Sequence, residues 1–153
     1  MINSHPEFVY LRLLRGLNGD IQREFQFADT CLRRAQCLSA EECPVICRQV
    51  VICAATALAN ATALAAEVLA LGGIPVLPAA GESGNIHLGL FRPRYWPGSL
   101  EMLTHYRRRL RMAEKLGLFR LCEVFQQILR TKEHHLAHAG VMTGGLAGRH
   151  LCG

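Results

Sequence analysis

The sequence predicts an all-α fold: an up-down four-helix bundle made of two antiparallel hairpins joined by one long crossover. Three observations lead there. Apolar residues recur at steps of three and four over four long segments, and no stretch alternates with the period of two that a half-buried strand requires. Short links separate the first segment from the second and the third from the fourth, so each pair is antiparallel. Between the pairs lie roughly 25 residues without a period, enough chain to travel the length of a bundle before the third helix begins.

Each element has its own signals. The first helix is expected from Pro6 to about Gln36, with Phe8, Leu11, Leu14, Leu17, Ile21, Phe25, Ala28, Leu32 and Ala35 as its apolar stripe. Pro6 suits a first turn, where its missing N–H is not needed. Ser39 and Glu42 have the spacing of a capping box ahead of the second helix, which runs to about Leu71 and is stopped by Gly72, Gly73 and Pro75. Pro44 falls within the first turns and moves the start later. Residues 72–98 hold Pro75, Pro78, Pro93 and Pro97 among several glycines and form the crossover. The third helix is expected from Ser99 to Leu116, ending at Gly117, and the fourth from Leu118 to Ala139, ending at Gly140, with Leu121, Phe125, Ile128 and Leu129 as its stripe. These boundaries give a bundle over residues 1–140 and a Gly-rich tail over 141–153.

Composition narrows the function classes. With 50% hydrophobic and 19% charged residues over 153 positions, the chain can bury a core and does not read as disordered. Seven cysteines cannot all pair within one chain, and Met1 to Pro6 lacks a basic-then-apolar leader, so the expected compartment is cytoplasmic and reducing. The net charge of +5 comes from arginines inside periodic segments, among them Arg12, Arg15, Arg107, Arg108 and Arg109. No aromatic platform or phosphate loop accompanies them, which leaves nucleic acid unsupported as a partner. Gln49 to Ala66 carries no charge, but its alanines with Thr56, Asn60 and Thr62 suit a helix covered by protein better than a membrane span.

Five motifs in order then resemble bacterioferritin-related proteins of the ferritin-like family. They are Leu17 to Gln26 in the first helix, Leu69 to Pro75 closing the second, Tyr106 to Arg109 and Ala113 to Gly117 in the third, and Ile128 to His135 in the fourth. The resemblance covers about residues 8–139 and implies a ferritin-like bundle, iron storage in an oligomer and a ferroxidase-type di-iron site. Such a site takes one Glu from each of two helices and a Glu-x-x-His from each of the other two. Carried onto this chain, the first-helix Glu is Glu24, and the second-helix pair falls on Ala57 and Asn60. The third-helix Glu falls on Ser99, and the fourth-helix pair on Lys132 and His135. Glu24 and His135 are therefore remnant metal positions, while Ala57, Asn60, Ser99 and Lys132 are lost ones. The methionine that holds haem between paired bacterioferritin subunits falls on Leu58.

The expectation is a degenerate, non-catalytic structural or assembly subunit with no cofactor. Lys132, on the inner stripe, is expected to supply positive charge to Glu24 where a metal would have been, or His135 to hydrogen-bond it. The apolar second helix, uncharged over the 18 residues Gln49 to Ala66, calls for cover on its outer side, from another copy or from an active ferritin-like subunit in a mixed oligomer. One alternative is a working iron site rearranged onto Glu24, Glu101, Glu133 and His135. Another is a thiol site for Cu(I) or Zn(II) on Cys43 and Cys47, which lie four apart on one helix face. Cysteine also packs as a small core hydrophobe. His134 and His138 share the four-residue spacing and could ligate a metal, although clustered histidines also suit a solvated helix end. No nucleophile–base arrangement is present.

Overall fold

The computed structural model describes residues 6–37, 44–78 and 99–146, and among these the chain is helical with no strand. The four helices are α1 (Pro6–Cys37), α2 (Pro44–Ala70), α3 (Ser99–Lys115) and α4 (Phe119–Leu146). The chain divides into two compact units, Met1–Ile86 with the α1·α2 hairpin and His87–Gly153 with the α3·α4 hairpin. Ser39 and Glu42 lie outside the described residues; Pro44 stands as the first residue of α2, the position its fixed φ favours.

Within the first unit the inner positions repeat at heptad-like spacing. Leu13, Leu17, Ile21, Ala28 and Cys31 on α1 are buried, as are Val50, Cys53, Ala54, Ala57, Ala61, Leu64 and Val68 on α2. The α1 face corrects the expected stripe. Phe8 and Leu11 are 71% and 65% exposed, Leu32 is also exposed, and the buried N-terminal residue is Leu13. The reason is angular: at about 100° per residue, Phe8 sits about half a turn away from Leu17. A run of steps of three drifts round the helix unless steps of four correct it.

Glycine ends both inner turns of the fold. Gly72 adopts φ +77°, while its N–H bonds the Leu69 carbonyl at 2.9 Å and the Gly73 N–H bonds that of Val68 at 2.8 Å. Gly117 repeats the motif at φ +68°, with Gly117 N–H on Glu114 at 3.0 Å and Leu118 N–H on Ala113 at 3.0 Å. Two such bonds around a left-handed residue satisfy the last carbonyls of a helix and turn the chain back. After Gly117 the chain re-enters helix within two residues, so α3 and α4 are antiparallel.

After Gly72 the chain runs back along α1. The Tyr10 hydroxyl donates to the Leu71 carbonyl. Asn18 donates to the Ile74 carbonyl at 3.1 Å and accepts from the Val76 N–H at 2.7 Å, and Gln22 donates to the Val76 carbonyl at 2.6 Å. Residues 10, 18 and 22 thus meet residues 71, 74 and 76 in that order, so this stretch is parallel to α1. At Gly73 the approach is close: a Cβ there would lie 2.9 Å from Leu14 Cδ2 and 3.0 Å from Val68 Cγ1.

In the second unit Leu103, Tyr106 and Ala113 on α3 are buried, with Leu121, Cys122, Phe125, Ile128 and Leu129 on α4. The Tyr106 and Phe125 rings lie 5.9 Å apart at 44°. α4 continues past Gly140, where the sequence places its end, as far as Leu146. Glycine lowers helix stability by about 1 kcal/mol without forbidding it, and no proline intervenes.

The two adjacent glycines of the α2 turn separate two kinds of strain. A Cβ at Gly72 meets nothing within 4 Å, so Gly72→Ala suffers only from its left-handed backbone, about 1–2 kcal/mol, and Gly72→Asn less. Gly73→Ala pushes against the Leu14 and Val68 methyl groups, and should loosen residues 73–78 from α1. Urea unfolding measures the first effect, and faster proteolysis of the crossover with unchanged helical circular dichroism measures the second.

Candidate functional site

Glu24 and Asn60 meet inside the first unit. They lie near the middle of their helices, are 0% and 7% exposed, and the Asn60 Nδ2 donates to Glu24 Oε2 at 3.3 Å. The chemistry sets the direction of this bond, because the amide NH2 can only donate and the carboxyl oxygen accepts. Ala57, one turn earlier on α2, is 1% exposed and offers only a methyl group. Two positions that the family resemblance assigns to one metal centre are thus brought together as a carboxylate and its amide donor.

Two further carboxylates share this interior, neither of them among the candidate site residues that the sequence singles out. Asp20 is 0% exposed and has Arg23 Nη1 at 3.7 Å; Glu67, on α2, is 4% exposed. The signal was available: Asp20 is one turn before Glu24, and Glu67 is one heptad beyond Asn60 on the same face. No buried side-chain polar atom among the described residues lacks a hydrogen-bond partner. That is the condition under which such groups can be carried in a core.

The second unit holds the fourth-helix positions. Lys132 is 8% exposed, as its place on the inner stripe predicts, and its Nζ lies 5.9 Å from the centre of the Tyr106 ring. A cation over an aromatic face recovers part of the hydration it loses. His135 is half-buried. Burial first, and then the positive charges of Lys132, His134 and His138, hold its imidazole below the ordinary value of 6.5. Glu101 is exposed, and Glu133 turns outward to Arg107 Nη2 at 2.9 Å in a pair half open to water. Ser99 is the first residue of α3.

The residues present do not fit a two-iron centre. α2 supplies a methyl group and an amide whose NH2 is engaged by Glu24. The carboxylates of the rearranged set at positions 101 and 133 are exposed, one of them held by an arginine. Among the described residues no group of three or more His, Cys, Asp or Glu converges to hold a metal ion. The cysteines divide by environment: Cys31, Cys53 and Cys122 are buried, Cys37 is exposed, and the half-buried Cys47 has its Sγ 3.9 Å from the Ala35 carbonyl. Burial and the charges of Glu114 and Glu123 push the Cys122 thiol up, which makes it a poor nucleophile. Cys43 lies outside the described residues, so the Cys43–Cys47 pair is not described. No family model matches the chain, and neither a curated protein nor a solved structure does.

Removing the Asn60 donor exposes the cost of the buried carboxylate. Asn60→Leu should destabilise the chain by about 2 kcal/mol in urea unfolding. Adding Glu24→Leu should recover about 1 kcal/mol or more relative to the sum of the single changes, because the two groups act as a unit. His135 sets an acid-side slope. The folded protein resists protonating this ring while the unfolded chain accepts the proton near 6.5, so stability falls as pH drops through that value. It levels off below the folded pKa. In His135→Gln the slope between about pH 7 and about pH 5 should flatten, measured as midpoint against pH.

Proposed function

We propose that the chain is a degenerate, bacterioferritin-related subunit. In this reading its two hairpins close into a ferritin-like four-helix bundle, and it contributes architecture rather than iron oxidation to an oligomer. The observation that carries the reading is the bond from Asn60 to Glu24 at 3.3 Å. An inherited carboxylate is retained at the centre of a helix pair, and an amide stands where a second ligand is needed. The path of residues 71–76 supports the fold part of the proposal, since a chain returning parallel to α1 is how a bundle-length crossover must begin.

Assembly is supported by the outer side of α2. Val51, Ala55, Leu58, Thr62, Ala66 and Leu69 follow one another at steps of four and three and are all exposed, without a charge among them. This row continues for most of the helix length, and such a surface marks an interaction site. Its occupant in this reading is a second copy of the chain, or an active ferritin-like subunit in a mixed shell. α2 is long and apolar enough to cross a membrane, with 27 residues and a mean hydropathy of 1.6 over its most apolar stretch. Its partner argues for water: α1 lies antiparallel along it with Arg12, Arg15 and Arg23 exposed, charges that a bilayer interior disfavours. A cytoplasmic setting is part of this reading, and the free thiols among the described residues support it.

Light scattering on the purified chain tests the proposal. The expected mass is at least twice 16.9 kDa at micromolar concentration, and Leu58→Arg or Ala55→Arg should give folded monomers with unchanged helical circular dichroism. A wild-type chain that stays monomeric, alone and with a ferritin-like partner, would refute assembly as its role.

A further inference from the structure

The C-terminal half of α4 carries a pair of side chains that the reading above does not use. His134 and His138 are four residues apart, so they stand one above the other on the same face, and both are exposed. Their ring centroids are 4.2 Å apart at 45°. A metal–imidazole bond is about 2.0–2.1 Å long, so one ion can hold two ring nitrogens only when they come within about 4 Å. The observed ring separation allows that without moving the helix.

The second observation concerns the other nitrogen of one ring. His138 Nδ1 lies 3.2 Å from the His134 carbonyl oxygen. A carbonyl only accepts, so Nδ1 carries the proton and the lone pair of the neutral ring resides on Nε2. Metal-bound histidines almost always have this arrangement, in which one nitrogen is anchored by a backbone carbonyl or carboxylate and the other is turned to the ion. His138 therefore has its tautomer set by the helix backbone before any ion arrives.

The neighbours define the class of ion. His135 is a full 100° round the helix, with its ring 6.2 Å from that of His134, and Glu133 is drawn away by Arg107. Among the described residues no hard oxygen ligand joins the pair, which disfavours magnesium and calcium and leaves ions that prefer imidazole. We propose that His134 and His138 form a bidentate surface site for a divalent transition-metal ion of the zinc, copper or nickel class, with water completing the coordination. The site does not depend on the buried Glu24 position or on assembly through α2.

The test is a Zn(II) titration of the full-length reduced chain, following the histidine ring nitrogens by NMR, in the Cys37→Ser background so that an exposed thiol does not compete. The His134 and His138 rings should shift together and saturate at the same zinc concentration, while Mg(II) leaves both in place. His138→Gln should weaken the response of His134 at least tenfold, with helical circular dichroism unchanged. Rings that respond at different concentrations, an undiminished His134 response in His138→Gln, or an equal effect of Mg(II) would each overturn the site. Loss of the site would leave the mass of the assembly unaffected, so the two proposals fail separately.

Discussion

A carboxylate withdrawn from water must be answered by donors or by positive charge, and Glu24 is withdrawn completely. This constraint organises the first unit. The register of the antiparallel hairpin has to place a donor opposite position 24, and Asn60 provides it. The same register carries Ala57 to the neighbouring inner position, where its methyl group is buried and contributes no ligand. Asp20 and Glu67 extend the polar part of the interior along both helices, and they too are satisfied. Polar groups of this kind are costly to keep without partners and specify one alignment of two helices that apolar side chains alone would leave less sharply defined.

The crossover uses the opposite strategy, with exposed bonds. Asn18 and Gln22, one turn apart on α1, read the backbone of residues 74–76 much as a neighbouring strand would. The left-handed Gly72 aims the chain, and the absence of a side chain at Gly73 lets it approach Leu14. Local backbone conformation, close packing and side-chain hydrogen bonds thus agree on one direction for a segment with no secondary structure of its own. That agreement across levels is the mark of a specified path rather than a slack loop.

The sequence made some of this legible and hid the rest for physical reasons. Helix limits could be read to within a few residues where a proline, paired glycines or a glycine taking a left-handed φ ends or starts the helix, as at Pro6, Gly72 and Gly117. They were misplaced at Gly140, where a lone glycine is only a weak breaker. The inner face of α2 was recoverable because alanine and leucine recur at regular steps. The face of α1 was not, because Phe8 and Leu11 mimic a stripe that has already rotated out of the core. Glu24 and Lys132 were placed inward from their positions on the stripes, and both are buried. Asp20 and Glu67 were missed because a carboxylate reads as surface unless its helical phase is followed. The Asn18 and Gln22 clamp could not be read at all, since nothing in the pattern says which backbone an exposed amide will bind.

The central claim is that the buried Glu24 carboxylate is held by the Asn60 amide rather than by a metal ion. Its most direct test is equilibrium binding of Fe(II) to the reduced chain, with iron counted per chain after desalting and the same count made on Glu24→Gln. The account predicts far less than one iron retained per chain and no difference between the two proteins. One or two tightly held irons that disappear in Glu24→Gln would contradict it.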